Sequence, residues 1–164
     1  MEKELIRNAT LADCAVIASI YNEYIEKGNA TMDRMLKSAT DIERWMAEFN
    51  ERELIQCLEL NGEVVGWGII KRYSDREGYG TTCETAVYLR RDKLRIGLGT
   101  KIKKSIIKKC GALGYHHLVA KIFAGNEGSI EYNRKLGYEV VGTQREVGNI
   151  DGKWLDVTIM QLIL

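Results

Sequence analysis

Apolar residues recur along this chain with two periods, and the switches between them predict its elements. A short strand is expected around Leu5, Ile6 and Arg7. Ala15, Ile17, Ala18 and Tyr21 then keep a helical spacing to about Ile25, with Thr10 as cap, Asp13 three residues on, and Gly28-Asn29 as the stop. Residues 29–39 hold no clean period; Met32, Met35 and Leu36 point to partial burial beside a cleft or to a loose helical turn. A second helix is expected from Thr40, which forms a capping box with Glu43, through about Phe49, carrying Ile42, Trp45 and Met46. Residues 54–60 and 64–70 read as strands joined at Asn61-Gly62, a dipeptide that suits a two-residue hairpin turn.

Residues 74–78 make a surface turn, and residues 82–89 form the next strand. A helix over about 98–112 ends at Gly114 and is followed by a strand at 117–123. Asn126 caps a helix that runs to about Leu136, with Gly137 as its C-cap. Strands at 138–147 and 154–162 close the chain across Asn149-Ile150-Asp151-Gly152. The order is one strand, two helices, three strands, helix, strand, helix, two strands. It predicts an α/β (α+β) domain with a mixed sheet and lacks the repeated βαβ units of a doubly wound dinucleotide fold. The 164 residues fit one domain spanning 1–164.

Charge narrows the range of partners. Lys and Arg number 24 against 23 Asp and Glu, so the basic excess of a nucleic-acid binder is missing. Lys101, Lys103, Lys104, Lys108 and Lys109 alternate with Ile102, Ile106, Ile107 and Cys110, and read as the wet face of a helix. No run approaches the length of a membrane span and the Met-Glu-Lys-Glu start carries no apolar stretch, so neither a membrane partner nor a signal peptide is expected. Cys14, Cys57, Cys83 and Cys110 are far apart, without ligand spacing. They read as core residues of a reduced, cytoplasmic protein, and no metal site is expected. His116 and His117 begin a strand and read as packing or surface residues; no Ser-His-Asp set proposes hydrolysis.

The stretch Arg95-Ile96-Gly97-Leu98-Gly99-Thr100 lies between a strand and a helix. Its glycines allow backbone N–H groups to converge on an anion where the helix starts. It is not a P-loop, because no Gly-Lys-Ser/Thr follows. Taken alone it is either a tight turn with close packing or a phosphate seat.

A second motif, Asn126-Glu-Gly-Ser129-Ile130-Glu-Tyr132-Asn133-Arg-Lys-Leu136-Gly137-Tyr138, lies downstream. The pair resembles the GNAT superfamily of acyl-CoA-dependent N-acyltransferases. Thr82-Cys-Glu84-Thr-Ala-Val87-Tyr88, and the tail from Arg145 through Trp154 and Asp156 to Met160, are similar to the phosphinothricin and methionine sulfoximine acetyltransferase branch. The resemblance implies a mixed, mostly antiparallel sheet of about seven strands flanked by about four helices. It implies acetyl-CoA between the fourth and fifth strands as acyl donor. Backbone N–H groups of Arg95, Ile96, Gly97, Leu98, Gly99 and Thr100 would then hold the pyrophosphate, with Leu94 and Asn133 as further cofactor-binding positions. The backbone of Val87 and Leu89 would pair with the pantetheine arm, Asn126 and Ser129 would line it, and amides near Val87 and Tyr88 would polarise the thioester carbonyl.

Two positions depart from the family pattern. Leu94 stands where Gln or Arg opens the first motif. Asn133 stands where many relatives carry a tyrosine acid, and this branch often a histidine; Tyr132, one residue away, turns about 100° around the helix and reads as a core aromatic. An acceptor ammonium must lose its proton before attack, and the branch resemblance gives that base role to Glu84. Arg72, Tyr73, Tyr79 and Arg145 are candidates for an acceptor carboxylate or phosphinate. Relatives imply a homodimer. The expected activity is acetyl transfer to the primary amine of a small amino-acid-like acceptor by direct attack. A peptide or protein N-acetyltransferase and an acyl-CoA-binding module without turnover are the rival readings.

Overall fold

A computed structural model describes residues 1–164. The chain forms β1 (Glu4–Asn8), α1 (Cys14–Lys27), α2 (Ala39–Glu48), β2 (Leu54–Leu60), β3 (Glu63–Arg72), β4 (Thr82–Leu89), α3 (Leu98–Ala112), β5 (His117–Phe123), α4 (Glu127–Lys135), β6 (Glu139–Ile150) and β7 (Lys153–Ile163). All seven strands join one sheet in the order β1-β2-β3-β4-β5-β7-β6. Every neighbouring pair is antiparallel except β4 and β5. The expected element order and mixed sheet are both present.

Each face of the sheet carries its own core, as strand alternation requires. On one face α1 and α2 cover Ile55, Cys57, Trp67 and Ile69 with Ile17, Ile20, Tyr21 and Ile42. On the other, Leu98, Ile102, Ile106 and Cys110 of α3 pack on Leu58, Val65, Ile70, Cys83 and Leu118. The side chains of β4 divide accordingly. Ala86 and Tyr88 pack toward α1, whereas Cys83, Val87 and Leu89 pack toward α3.

Thr10 and Asp13 cap the first helical turn as expected, and Arg7 clamps Asp13 through two hydrogen bonds of 2.7 and 2.9 Å. That pairing holds the Asp13 carboxyl down at about 2. The second helix starts earlier than Thr40. Its capping box is Ser38 with Asp41: the Asp41 amide donates to Ser38 Oγ at 3.3 Å and the Ser38 amide to Asp41 Oδ2 at 2.8 Å. Ser-x-x-Asp and Thr-x-x-Glu overlap here, and the earlier box takes the terminus. Of the residues expected beside a cleft, Met32 borders one, whereas Met35 and Leu36 are exposed.

The feature that positions chemistry is the junction of β4 with β5. Their parallel ladder runs only from Thr82–Glu84 against His117–Val119. Beyond it β5 continues against β7, β4 continues against β3, and the two strands splay apart.

Candidate active site

The splay opens a fork at the centre of the sheet, with a hollow on either side. The larger, of about 560 Å³, lies toward α3 and α4. It gathers Val87, Tyr88, Leu89, Leu94, Arg95, Gly97, Gly99, Thr100, Asn126, Ser129 and Asn133. Two loop residues stand apart from it: Ile96 is exposed, and Leu98 is buried in the α3 core. Gly97 is the N-cap of α3 with φ 87°, and Arg95 adopts φ 65°, a conformation few non-glycine residues take. This kinked entry aims the first amides of α3, which lack intrahelical partners, at the hollow. A helix start of this kind favours an anion.

Backbone pairing decides which strand amides are free. The Arg90 amide donates to the Val65 carbonyl at 2.8 Å, and the Tyr73 amide to Thr82. Alternation along the antiparallel ladder therefore turns Tyr88 toward β3 and Val87 and Leu89 toward the fork. The expectation that the Tyr88 amide polarises the thioester is thus corrected; its N–H belongs to the sheet. Leu89 is also engaged. Tyr24 Oη donates to the Leu89 carbonyl at 2.6 Å and accepts from its amide at 3.3 Å. Of the expected pairing residues, Val87 keeps its main chain open to the fork.

On α4, Asn126 caps the helix by accepting from the Ser129 amide at 3.2 Å. Asn133 is buried; its Nδ2 donates to the Ser129 carbonyl at 2.8 Å, while its Oδ1 has no partner. Tyr132 Oη donates to the Gly99 carbonyl, which ties α4 to the entry of α3. Burial pushes this phenol well above its ordinary range, so it stays protonated at neutral pH, with its hydroxyl committed to the Gly99 carbonyl.

The second hollow, of about 370 Å³, lies on the α1 face and is lined by Tyr21, Trp45, Tyr88, Lys71, Glu84 and Lys121 among others. Thr31, Met32 and Asp33 from the segment without a clear period form its rim; Tyr21 Oη bonds Thr31 Oγ1 at 2.6 Å and also Asp33. Glu84 Oε2 lies 3.2 Å from Lys121 Nζ, and Lys71 is its cross-strand neighbour. The two hollows share Ala30, Thr85, Ala86, Tyr88, Lys121 and Phe123, so they meet through the fork. Cys83 points away, with its Sγ 3.6 Å from Cys110 Sγ in the core.

Four expected acceptor residues do not reach this second hollow. Arg72 is held by Glu53 at 2.5 Å and Asp75 at 2.7 Å, and Tyr73 stacks edge-on against Tyr79, 5.3 Å between centroids. Arg145 lines a separate open hollow with Glu146, Trp154 and Asp156 on the last hairpin. Sequence reading missed Tyr21, Tyr24, Lys71, Lys121 and, above all, Lys103, which is only 3 % exposed and lines the larger hollow. Its place on the wet face of α3 is corrected. Lys103 lies three residues before Ile106 and seven before Cys110, within the buried stripe.

The description "Acetyltransferase (GNAT) domain" matches residues 6–159. The chain belongs to the GNAT acetyltransferase family. It is 34% identical over 164 residues to an L-methionine sulfoximine/L-methionine sulfone acetyltransferase of Pseudomonas aeruginosa, covering 97% of this chain and 94% of that protein. It is 30% identical over 156 residues to a phosphinothricin N-acetyltransferase of Streptomyces viridochromogenes, covering 95% and 85%. The structure of a GNAT phosphinothricin acetyltransferase from Sinorhizobium meliloti in complex with acetyl-CoA superposes with a TM-score of 0.91 at 26% identity, covering 98% of this chain and 88% of that one. For this GNAT acetyltransferase acetyl-CoA is the acyl donor. The residues present suit it: helix-start amides without intrahelical partners that favour an anion, and an open strand edge at Val87.

Proposed function

We propose that this acetyltransferase moves the acetyl group from acetyl-CoA to the primary amine of a small amino-acid-like acceptor, by direct attack in a ternary complex. The observation that carries the reading is the placement of Glu84. It lines the second hollow, one residue before Thr85, which lines both. An acceptor in the second hollow has its amine between this carboxylate and the thioester. Glu84, directly or through a water, takes the ammonium proton; the freed lone pair attacks the carbonyl carbon, and the Val87 amide faces the developing oxyanion. Lys71 and Lys121 supply positive charge for an acceptor carboxylate, and Tyr21, Trp45 and Tyr88 supply walls for an apolar side chain. The named acceptors of the relatives, methionine sulfoximine, methionine sulfone and phosphinothricin, are amino-acid analogues of this kind.

A hollow of about 370 Å³ walled by rings fits such an acceptor better than a polypeptide backbone. We further read the protein as a cytoplasmic homodimer. Four buried free cysteines suit a reducing compartment. The exposed strand β6, with Val140, Val141 and Val147, and Trp154 on β7, offer a surface for a second copy, through which Arg145 would approach a neighbouring site.

The test is acceptor-dependent thiol release from acetyl-CoA across amino acids, methionine sulfoximine, methionine sulfone, phosphinothricin, polyamines and N-terminal peptides. Glu84→Gln is expected to lower kcat at neutral pH by 100-fold or more, roughly the low end of general-base contributions, with acetyl-CoA affinity within about twofold. Unchanged kcat removes Glu84 from the base role, and release driven by peptides alone overturns the acceptor class.

A further inference from the structure

Lys103 is the one buried lysine of the chain. Its Nζ donates to Thr85 Oγ1 at 3.0 Å and lies 4.8 Å above the ring of Tyr138. Thr85 Oγ1 in turn shares a 3.0 Å hydrogen bond with Tyr138 Oη. No carboxylate pairs with the ammonium. The groups that face it are Cys83 and Thr85 of β4, Cys110 of its own helix, Tyr138 ahead of β6, and Asn133 of α4 across the hollow they share. An ammonium taken out of water without an anion is costly, and buried charges are normally paired. One alcohol and one ring face leave most of that cost unmet.

The position of Lys103 in the fold says which anion it could meet. Thr85 is the first β4 residue past the Glu84–Val119 end of the parallel ladder, so Lys103 stands at the closed end of the fork. It looks into the donor-side hollow, and Glu84 looks into the acceptor-side one. The Tyr138 amide donates to the Asn133 carbonyl at 3.0 Å, so the ring beneath Lys103 is fixed to the turn of α4 that carries Asn133. Asn133 lines the same hollow without an acidic proton: its Nδ2 is taken by the Ser129 carbonyl and its Oδ1 is buried. Acetyl transfer creates one anion at the end of the donor arm, the thiolate.

We propose that Lys103 is the cation that stabilises the departing CoA thiolate, the task Asn133 cannot perform. This deepens the acetyl-transfer reading and rests on it. As the acceptor nitrogen bonds the carbonyl carbon, the C–S bond breaks and its electron pair goes to sulfur. The thiolate leaves beside the Lys103 ammonium. The acceptor ammonium loses two protons: the first passes through Glu84 to solvent before attack, and the second, shed by the nitrogen as the amide forms, stays on Glu84, so atoms balance and the sulfur leaves as a thiolate facing the Lys103 ammonium. Burial lowers Lys103 to about 8, which keeps the cation dominant at neutral pH and makes it available to share its proton with the thiolate.

The decisive measurement needs no acceptor and no turnover. The thiol of bound CoA is titrated through the ultraviolet absorbance of its thiolate, in wild type, Lys103→Met and Lys103→Gln. A cation within contact distance should lower the bound thiol by about one pH unit relative to free CoA, a tenfold gain in thiolate at a given pH. Both variants are expected to lose that shift while still binding CoA. Gln retains a hydrogen-bonding end, so a Gln variant with the wild-type titration shows a packing or hydrogen-bonding role and overturns the proposal, as does an unshifted thiol in wild type. Lys103→Met cannot leave a buried charge behind, and circular dichroism checks its fold. In turnover, the basic fall of kcat near pH 8 should disappear in both variants with acceptor KM unchanged; its persistence also counts against Lys103. If no acceptor is ever found, the thiol titration still decides the role of Lys103. If Lys103 fails, the Glu84 test still stands.

Discussion

Replacing Lys103 with Met should stabilise the ligand-free protein at neutral pH, and the gain should shrink as pH rises. The two side chains are similar in length, and Thr85 Oγ1 keeps its hydrogen bond with Tyr138, so no polar group is orphaned by the change. The wild-type lysine titrates at about 8 in the fold against 10.5 in the open chain. Its folded value is the lower one, so the unfolded chain binds more protons between these limits and wild-type stability rises with pH there. At pH 7 the charged lysine costs the fold about 3 kcal/mol, and at pH 9.5 about 1 kcal/mol, so roughly 2 kcal/mol returns across that window. Loss of the hydrogen bond to Thr85 offsets about 1 kcal/mol of the gain at both pH values. Urea unfolding of both proteins at pH 7 and pH 9.5 reads the difference, and other titrating groups cancel between the two chains. A gap between variant and wild type that is the same at both pH values refutes a buried, desolvated ammonium. A variant that is less stable at pH 7 shows that Lys103 is satisfied by partners other than Thr85 and Tyr138.

Asp13→Asn should cost about 2 kcal/mol at pH 7 in urea unfolding, because the Arg7 clamp holds the folded carboxyl at about 2 against 3.8 in the open chain. That contribution is present above pH 4 and is lost as pH falls through 2, so the gap between variant and wild type should close in acid. Tyr132→Phe removes the tie to the Gly99 carbonyl; titration calorimetry should show acetyl-CoA bound about 5- to 10-fold more weakly, the equivalent of roughly one hydrogen bond, with the pH profile of kcat unchanged. A lost basic limb in that variant would make Tyr132 an acid after all.

Much of the fold was legible because its elements obey local rules. The Asn61-Gly62 turn, the strand at residues 82–89, the helix at 98–112 and the Asn126 cap lie where period and turn chemistry place them. The last hairpin is longer than expected. The outer strand β6 is exposed along nearly its whole length and is interrupted by register shifts, so no apolar alternation marks its end. The donor-side hollow was legible through the pairing of two motifs. The second hollow was legible only at Glu84, because Tyr21, Lys71 and Lys121 come from three separate elements that meet only through sheet order. Lys103 was misread for a different reason. It sits in a run rich in lysine, and only its offset from Ile106 and Cys110 separates it from the solvated members. Arg72 and Arg145 fit the chemistry of anion recognition, but salt bridges and the last hairpin hold them elsewhere within the chain.

The grip of Tyr24 on Leu89 has a bearing on what the sheet refuses. A splayed strand is an edge in the interior, and unpaired edges recruit further strands, from other copies or from passing polypeptides. The bare stretch of β4 begins past Glu84 and is closed at Leu89 by a single phenol that occupies both main-chain groups. At about 3.3 Å per residue, the window is roughly 15 Å long, and because only alternate residues turn their main chain into it, it offers Thr85 and Val87 before Leu89 is reached. One hydroxyl thus ends the open edge at Leu89 and leaves, before it, room for a ligand that carries isolated amides.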